Sequence, residues 1–298
     1  MGYKLRPKDP AEEVRKVARQ GIDKAIEALS VPSEERAEGV HQARKRFKEL
    51  RALLRLVRKP LGGEFKAENQ RLRDLGRALA ESRDAAAMLE SWDLLAKRFP
   101  NPFSEQSFGL ARRRLHERAR RGEADTSGLD QHIDGVKTEL EAFRDRVESW
   151  QLAPKGFDLF AAGIKRTYAD GCVELAKVRV DLSDDQLHEW RKRVKDHWYQ
   201  TRLLTPGWPT LMQLRSDTLK QLADMLGDDH DLAMMLQLMQ QQPELFGDAR
   251  QLERLEVMIA ERRSELQSGA LKLGDEIYLD APEELVARWR RYWDGAQH

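Results

Sequence analysis

Two stretches of this chain carry histidine, arginine and lysine at helical spacing, a combination suited to binding phosphate oxygens. The first, VHQARKRFKELRALLRLVRKPL, covers residues 40–61. At about 100° per residue its apolar residues share one side of a helix, and the other side carries His41, Arg44, Lys45, Lys48, Arg51 and Arg55. Arginine offers a bidentate fork, lysine a point charge and histidine one or two N–H donors. Because like charges on one face destabilise a helix, acids of the fold or an external anion must offset them.

The second stretch repeats the pattern 147 residues further along, counted from His41 to His188. LHEWRKRVKDHWYQTRLL, residues 187–204, presents His188, Arg191, Lys192, Lys195 and Arg202 at the matching positions. The offset holds without a gap into the next helix, where Leu72 matches Leu219 and Asp84 matches Asp231. We interpret this as an internal duplication.

The polar face persists between the two copies better than the apolar face. Leu50 corresponds to His197 and Leu54 to Thr201, whereas the histidine, arginine and lysines keep their register. Burial alone does not explain that pattern, which favours a shared anion-binding role. The face from His41 to Arg55 extends for about 21 Å at 1.5 Å per residue. That length suits a linear polyanion better than a single phosphate.

The motifs His41-Gln42-x-Arg44-x-x-x-Lys48 and His188-x-x-Arg191-x-x-x-Lys195 resemble the two signature helices of the conserved histidine α-helical domain (CHAD) family. Leu79-x-x-x-Arg83-Asp84 and Leu226-Gly227-x-x-His230-Asp231 resemble its second motif. The resemblance implies an all-α fold of two helical bundles related by a pseudo-twofold axis, with a basic channel between them that binds inorganic polyphosphate. Carried over by position, the channel is lined by His41, Arg44, Lys48, Arg51, His188, Arg191 and Lys195. Lys45 and Lys192, which lie on the same helices, are further candidates. Arg55, Arg202, Arg19 and Arg166 are second-rank candidates.

Two departures from the family pattern lie in the second copy. Trp198 stands where the first copy has Arg51, and His230 stands where it has Arg83. We therefore expect weaker binding by the second half.

Composition and helix signals agree with a duplicated all-α chain. Of 298 residues, 35% are charged and the net charge is only +1, a composition that suits long amphipathic helices. A linker at 152–156 divides the chain into halves 1–152 and 153–298. Predicted helices cover 10–29, 40–61 (capped by Ser33), 64–99 with a break near 82, 104–121, 127–150, 157–177, 187–204 (opened by a capping box at 183–186), 210–226 (ended by Gly227), 232–241, 244–273 and 283–293.

Other functions and locations were weighed against these motifs. Basic helices bind nucleic-acid backbones without sequence preference, and Trp198 or Tyr199 could stack on bases, so a nucleic-acid-binding protein is the alternative. Residues 228–231 (DDHD) lack the further ligand spacing of a metallohydrolase, and nucleotide-binding and nucleophile motifs are absent. We predict no enzyme activity, cofactor or metal. A single cysteine, Cys172, and no signal or membrane segment predict a cytoplasmic protein. The family resemblance implies that it meets polyphosphate granules or polyphosphate-metabolising enzymes.

Overall fold

Helices are the only regular secondary structure in the residues that the structure describes, which confirms the predicted all-α class. The computed structural model describes residues 3–79, 84–124 and 129–296. In the first half the helices are α1 (Pro10–Leu29), α2 (Arg36–Leu56), α3 (Arg58–Leu61), α4 (Glu64–Ala78), α5 (Asp84–Arg98), α6 (Pro100–Phe103), α7 (Gln106–Ala124) and α8 (Leu129–Glu148). In the second half they are α9 (Asp158–Val180), α10 (Asp184–Leu203), α11 (Pro209–Gln241), α12 (Ala249–Ile277) and α13 (Pro282–Gly295).

Helix ends follow the sequence signals at some positions and not at others. α1 begins at Pro10 and ends at Leu29 as predicted, with the Asp9 side chain accepting the Glu12 amide. The predicted Ser33 cap is wrong, because Ser33 opens a 3₁₀ turn and α2 begins after Glu35 without a side-chain cap. The predicted capping box at 183–186 is also wrong, because Ser183 precedes α10 but its side chain makes no capping hydrogen bond.

Gly227 does not end a helix, so the prediction of a break there is wrong. α11 runs without interruption from Pro209 to Gln241. Glycine inside a helix costs about 1 kcal/mol relative to alanine, a cost that tertiary packing of the helix outweighs. A Cβ atom at Gly227 would lie 3.4 Å from Nη2 of Arg191, so the missing side chain leaves room for that guanidinium.

Apolar side chains of the two halves share their cores. The larger core joins residues such as Phe47 and Leu53 of α2 with Ile164 of α9 and Trp190 of α10. The smaller core joins Trp92 and Phe108 to α11 and α12. Because each core draws on both halves, the position of every basic helix depends on residues far away in sequence. None of the helices described has the length and apolarity needed to cross a membrane.

α2 and α10 pack against each other in a contact that we call the α2–α10 crossing, where two reciprocal ion pairs join them. Arg55 Nη1 lies 2.9 Å from Asp196 Oδ1, and Arg202 Nη1 lies 3.2 Å from Glu49 Oε1. Glu49 and Asp196 correspond at the 147-residue offset, as Arg55 and Arg202 do. Exchange of partners of this kind is typical of an interface between two equivalent units related by a twofold axis. It supports the prediction of a duplication.

The first described residues bind both halves. The Leu5 amide donates to the Leu203 carbonyl at 2.7 Å, and the Tyr3 hydroxyl donates to the Glu49 carbonyl at 2.6 Å. Leu5 is fully buried, and the Tyr3 ring packs edge-on against Tyr199. This segment therefore links α2 to α10 at the α2–α10 crossing.

Candidate anion-binding site

Three cations from the two signature helices converge beside the α2–α10 crossing and form what we call the central cluster: Lys48, Arg191 and Lys195. Burial, with the positive charges of Arg191 and Lys48, lowers the pKa of Lys195 to about 7. Asp224 and Asp231 oppose this shift without cancelling it. The fold thus holds excess positive charge here, and a ligand with several negative charges would relieve the repulsion.

The histidine of the second signature helix lies against the end of the central cluster. Its ring, His188, packs on the ring of His230 with 4.5 Å between centroids. Burial, His230 and the neighbouring cations lower the pKa of His188 to about 4. In the unliganded protein His188 is therefore a neutral hydrogen-bonding group at physiological pH.

Arg191 and His188 have unsatisfied hydrogen-bonding atoms. The buried atoms Nε of Arg191 and Nδ1 of His188 have no partner within the described parts of the chain. Arg191 Nη2 lies over the backbone of α11 at Gly227, which fixes the position of the guanidinium. Unpaired buried donors and acceptors are costly, so a bound oxyanion with its waters would satisfy groups that the protein leaves open.

The first signature helix contributes basic residues held by its neighbour α4. Arg51 Nε donates to Asn69 Oδ1 at 3.1 Å. Arg44 Nη1 lies 3.4 Å from the Leu79 carbonyl oxygen. Lys48 is exposed, whereas His41 and Lys45 are half-buried on the same helix. Arg83 of the second motif lies outside the described residues, as does the side chain of Asp84.

The remaining sequence candidates lie in ion pairs with the protein's own acids. Arg55 and Arg202 form the two reciprocal pairs between α2 and α10. Arg19 pairs with Glu12 and Glu148, while Arg166 pairs with Asp170 and Lys192 with Glu189. The structure therefore brings Lys48, Arg191 and Lys195 together and uses Arg55 and Arg202 to join the helices. Arg19, on α1, and Arg166, on α9, belong to helices outside the signature pair.

Asn69 and two arginines of α4 lie beside Arg51 of the candidate site, and the sequence reasoning missed them. Asn69, Arg73 and Arg77 follow each other at intervals of four and share one face of α4. Burial, with the cations Arg55, Arg73 and Arg77, lowers the pKa of Arg51 to about 10. The spacing of these residues was visible in the sequence, but their proximity to Arg51 depends on the packing of α4 against α2.

Among the described side chains, no group of three or more His, Cys, Asp or Glu is placed to hold a metal ion. Asp229, in the acidic run of α11, is buried and accepts bonds from Arg263 and Gln267. This carboxylate therefore joins α11 to α12.

Comparison with known proteins places the chain in a structural context. A family model described as CHAD domain matches residues 12–240. Among solved structures, the chain is similar to the crystal structure of the CHAD domain from the plant Ricinus communis. The two share 16% identity with a TM-score of 0.53, and the match covers 97% of this chain and 93% of that one. At this identity the similarity shows the fold alone. No curated protein matches the sequence at a significant level.

Proposed function

This chain belongs to the CHAD domain family, as its two signature helices predict, and on that premise we propose that it binds inorganic polyphosphate. The binding surface runs along the basic faces of α2 and α10, with the central cluster of Lys48, Arg191 and Lys195 as its core. The observation that carries the proposal is the convergence of these cations at a place where burial, together with the charges of Arg191 and Lys48, lowers the pKa of Lys195 to about 7. Repulsion between these cations does not stabilise the folded protein, whereas their concentrated positive charge attracts a polyanion.

The rival function is non-specific binding of RNA or DNA, and the aromatic residues argue against it. Proteins that bind single strands stack bases on accessible aromatic rings. Tyr199 is only 5% exposed, and its ring packs against Trp198 with 4.9 Å between centroids. The Arg202 guanidinium lies over Trp198 at 5.1 Å. These rings are occupied within the protein, which favours a ligand that offers phosphates without bases.

A binding role without catalysis accompanies this proposal. Burial raises the pKa of the Cys172 thiol, which disfavours the thiolate that a nucleophilic cysteine requires. We place the protein in the cytoplasm, where the module brings its carrier to polyphosphate granules or to polyphosphate-metabolising enzymes.

The experiment is a calorimetric titration with long-chain polyphosphate, with single-stranded RNA, duplex DNA and triphosphate as competitors at one salt concentration. We expect tight binding that nucleic acids do not displace, because the rings of Tyr199 and Trp198 already pack against each other and Arg202 lies over Trp198. Affinity should fall as salt rises, since each phosphate contact releases a counterion. Equal binding of all polyanions would contradict the polyphosphate site and put the nucleic-acid function first.

A triple variant, His41→Ala with Arg44→Ala and Lys48→Ala, tests whether the signature helix carries the binding. Its control, Lys59→Ala with Arg113→Ala, removes the same number of permanent positive charges from exposed positions elsewhere. The triple variant should lose most of its affinity while the control keeps it. Equal losses in the two proteins would mean that net charge, and not a site, attracts the ligand.

A further inference from the structure

We propose that a long polyphosphate chain leaves the central cluster in one direction, across α4 of the first half, where Arg73 and Arg77 bind it. This inference rests on the proposed function and specifies its ligand as a chain longer than the central cluster can cover. The two halves are alike in the signature helices, but their flanks are not.

The first-half flank is a continuous basic surface that begins at the signature helix. Arg51 of α2 donates to Asn69 of α4, which fixes the register between the two helices. Arg73 and Arg77 follow Asn69 on the same face and extend over about 12 Å of α4 at 1.5 Å per residue. Both arginines are exposed. A chain that lies on Arg51 can therefore continue along α4 without crossing an apolar surface.

Acids near this flank neutralise little of its charge. Arg73 has no ion pair with any residue in the described ranges, and Arg77 lies 3.6 Å from Asp74. Asp196, the acid that acts on Arg51, is taken by Arg55 at 2.9 Å. Exposed ion pairs such as that of Arg77 contribute little and exchange readily, so a phosphate can replace Asp74.

The second-half flank has lost this character. At the 147-residue offset, Arg51, Arg73 and Arg77 become Trp198, Lys220 and Asp224. Lys220 Nζ lies 2.5 Å from Asp224 Oδ2, so this pair neutralises itself. Asp224 also acts on Lys195, which places a negative charge beside the central cluster on this side. The three positive residues of the first-half flank thus correspond to residues whose charges sum to zero, so the second-half flank does not attract a polyanion as the first-half flank does.

The test is a double variant, Arg73→Gln with Arg77→Gln, assayed with long-chain polyphosphate and with triphosphate over a series of salt concentrations. Two lost phosphate contacts should lower the salt slope of long-chain binding by about 1.4, taking about 0.7 per contact for a single strand. The ratio of long-chain to triphosphate affinity should fall, because triphosphate is too short to contact the central cluster and α4 together.

The charge-matched control is Lys59→Gln with Arg113→Gln, which should keep both the slope and the ratio. A double variant that binds long chains like the wild type would overturn the exit across α4 and leave the proposed function standing. Equal losses for triphosphate and long chains would also overturn it, since Arg73 and Arg77 would then belong to the core of the site. Failure of the wild-type protein to bind polyphosphate would refute the proposed function itself.

Discussion

Binding of polyphosphate should take up protons, because Lys195 is only partly charged in the free protein. Burial, Arg191 and Lys48 lower the pKa of Lys195 to about 7, so about half of the molecules carry the proton at pH 7. A polyanion next to the amine favours the charged form and restores the pKa toward its usual value of about 10.4. Each bound protein should therefore take up about half a proton at pH 7 and nearly one at pH 8.

The same linkage fixes the sign and size of the pH dependence. A group whose pKa rises on binding gives its full contribution below the free pKa, and that contribution falls as the pH rises through it. For a free pKa near 7, affinity should weaken by about tenfold between pH 6 and pH 8. His188, whose pKa is lowered to about 4 in the free protein, adds proton uptake only toward pH 6, because a polyanion would restore its pKa toward about 6.5. Lys195 therefore dominates the uptake at pH 8.

Calorimetry in buffers of different ionisation enthalpy measures the uptake directly. Lys195→Met should bind more weakly, lose the uptake at pH 8 and lose the pH dependence between pH 7 and pH 8. Lys192→Met is the matched control, since Lys192 lies one turn away, is exposed and pairs with Glu189 at 2.5 Å. It should keep the proton uptake of the wild type. A flat affinity profile from pH 6 to 8 with no proton uptake would refute the reasoning from the central cluster.

Two further predictions concern the junction of the halves. Gly163→Ala should destabilise the protein by about 1–3 kcal/mol or more, because the new Cβ atom would lie 2.0 Å from the Leu56 carbonyl oxygen. The control Gly135→Ala, whose Cβ atom would meet nothing within 4 Å, should stabilise the protein by about 0.5–1 kcal/mol. Equal effects of the two substitutions in urea unfolding would contradict the close approach of α9 to α2. Arg202→Met should cost about 1–3 kcal/mol, less than the 3–5 of a fully broken buried pair, because Arg46 still lies 2.6 Å from the buried Glu49. Arg55→Met should cost a similar amount if the halves are equivalent, and a loss below about 0.5 kcal/mol in both variants, the usual value for surface changes, would show that these pairs do not hold α2 to α10.

The residues that share each basic face could be predicted from sequence, because helical periodicity and the internal repeat are visible within a single helix. The tertiary contacts that decide which of those residues remain available to a ligand could not be predicted in this way. Arg55 lies on the same side of α2 as Lys48, yet it pairs with Asp196 of α10. That choice depends on the crossing of the two helices, for which local sequence has no signal. The duplication contains a signal that can be recognised once the structure is known: the acids Glu49 and Asp196 stand at corresponding positions in the two copies, as their partners Arg202 and Arg55 do.

Two other features depended on tertiary packing. The sequence predicts a helix end at Gly227, but α11 is continuous there and the Arg191 guanidinium lies in the space beside Gly227. His197, the counterpart of Leu50, is fully buried and its ring stacks on Trp289 with 5.5 Å between centroids. A histidine enclosed in this way packs as part of the core, which explains how the apolar side could change while the fold persisted.

The hydrogen bonds that residues 3–5 make to α2 and α10 also determine when this protein can finish folding during synthesis. Leu5 and its partner Leu203 are separated by almost 200 positions. At about 5–20 residues per second a ribosome needs about 10–40 seconds to cover that interval. Until then Leu5 has no carbonyl to bind, and Glu49 lacks Arg202. The first half must wait for α10 before its basic face is set, so a nascent chain should acquire its anion site late and in one step.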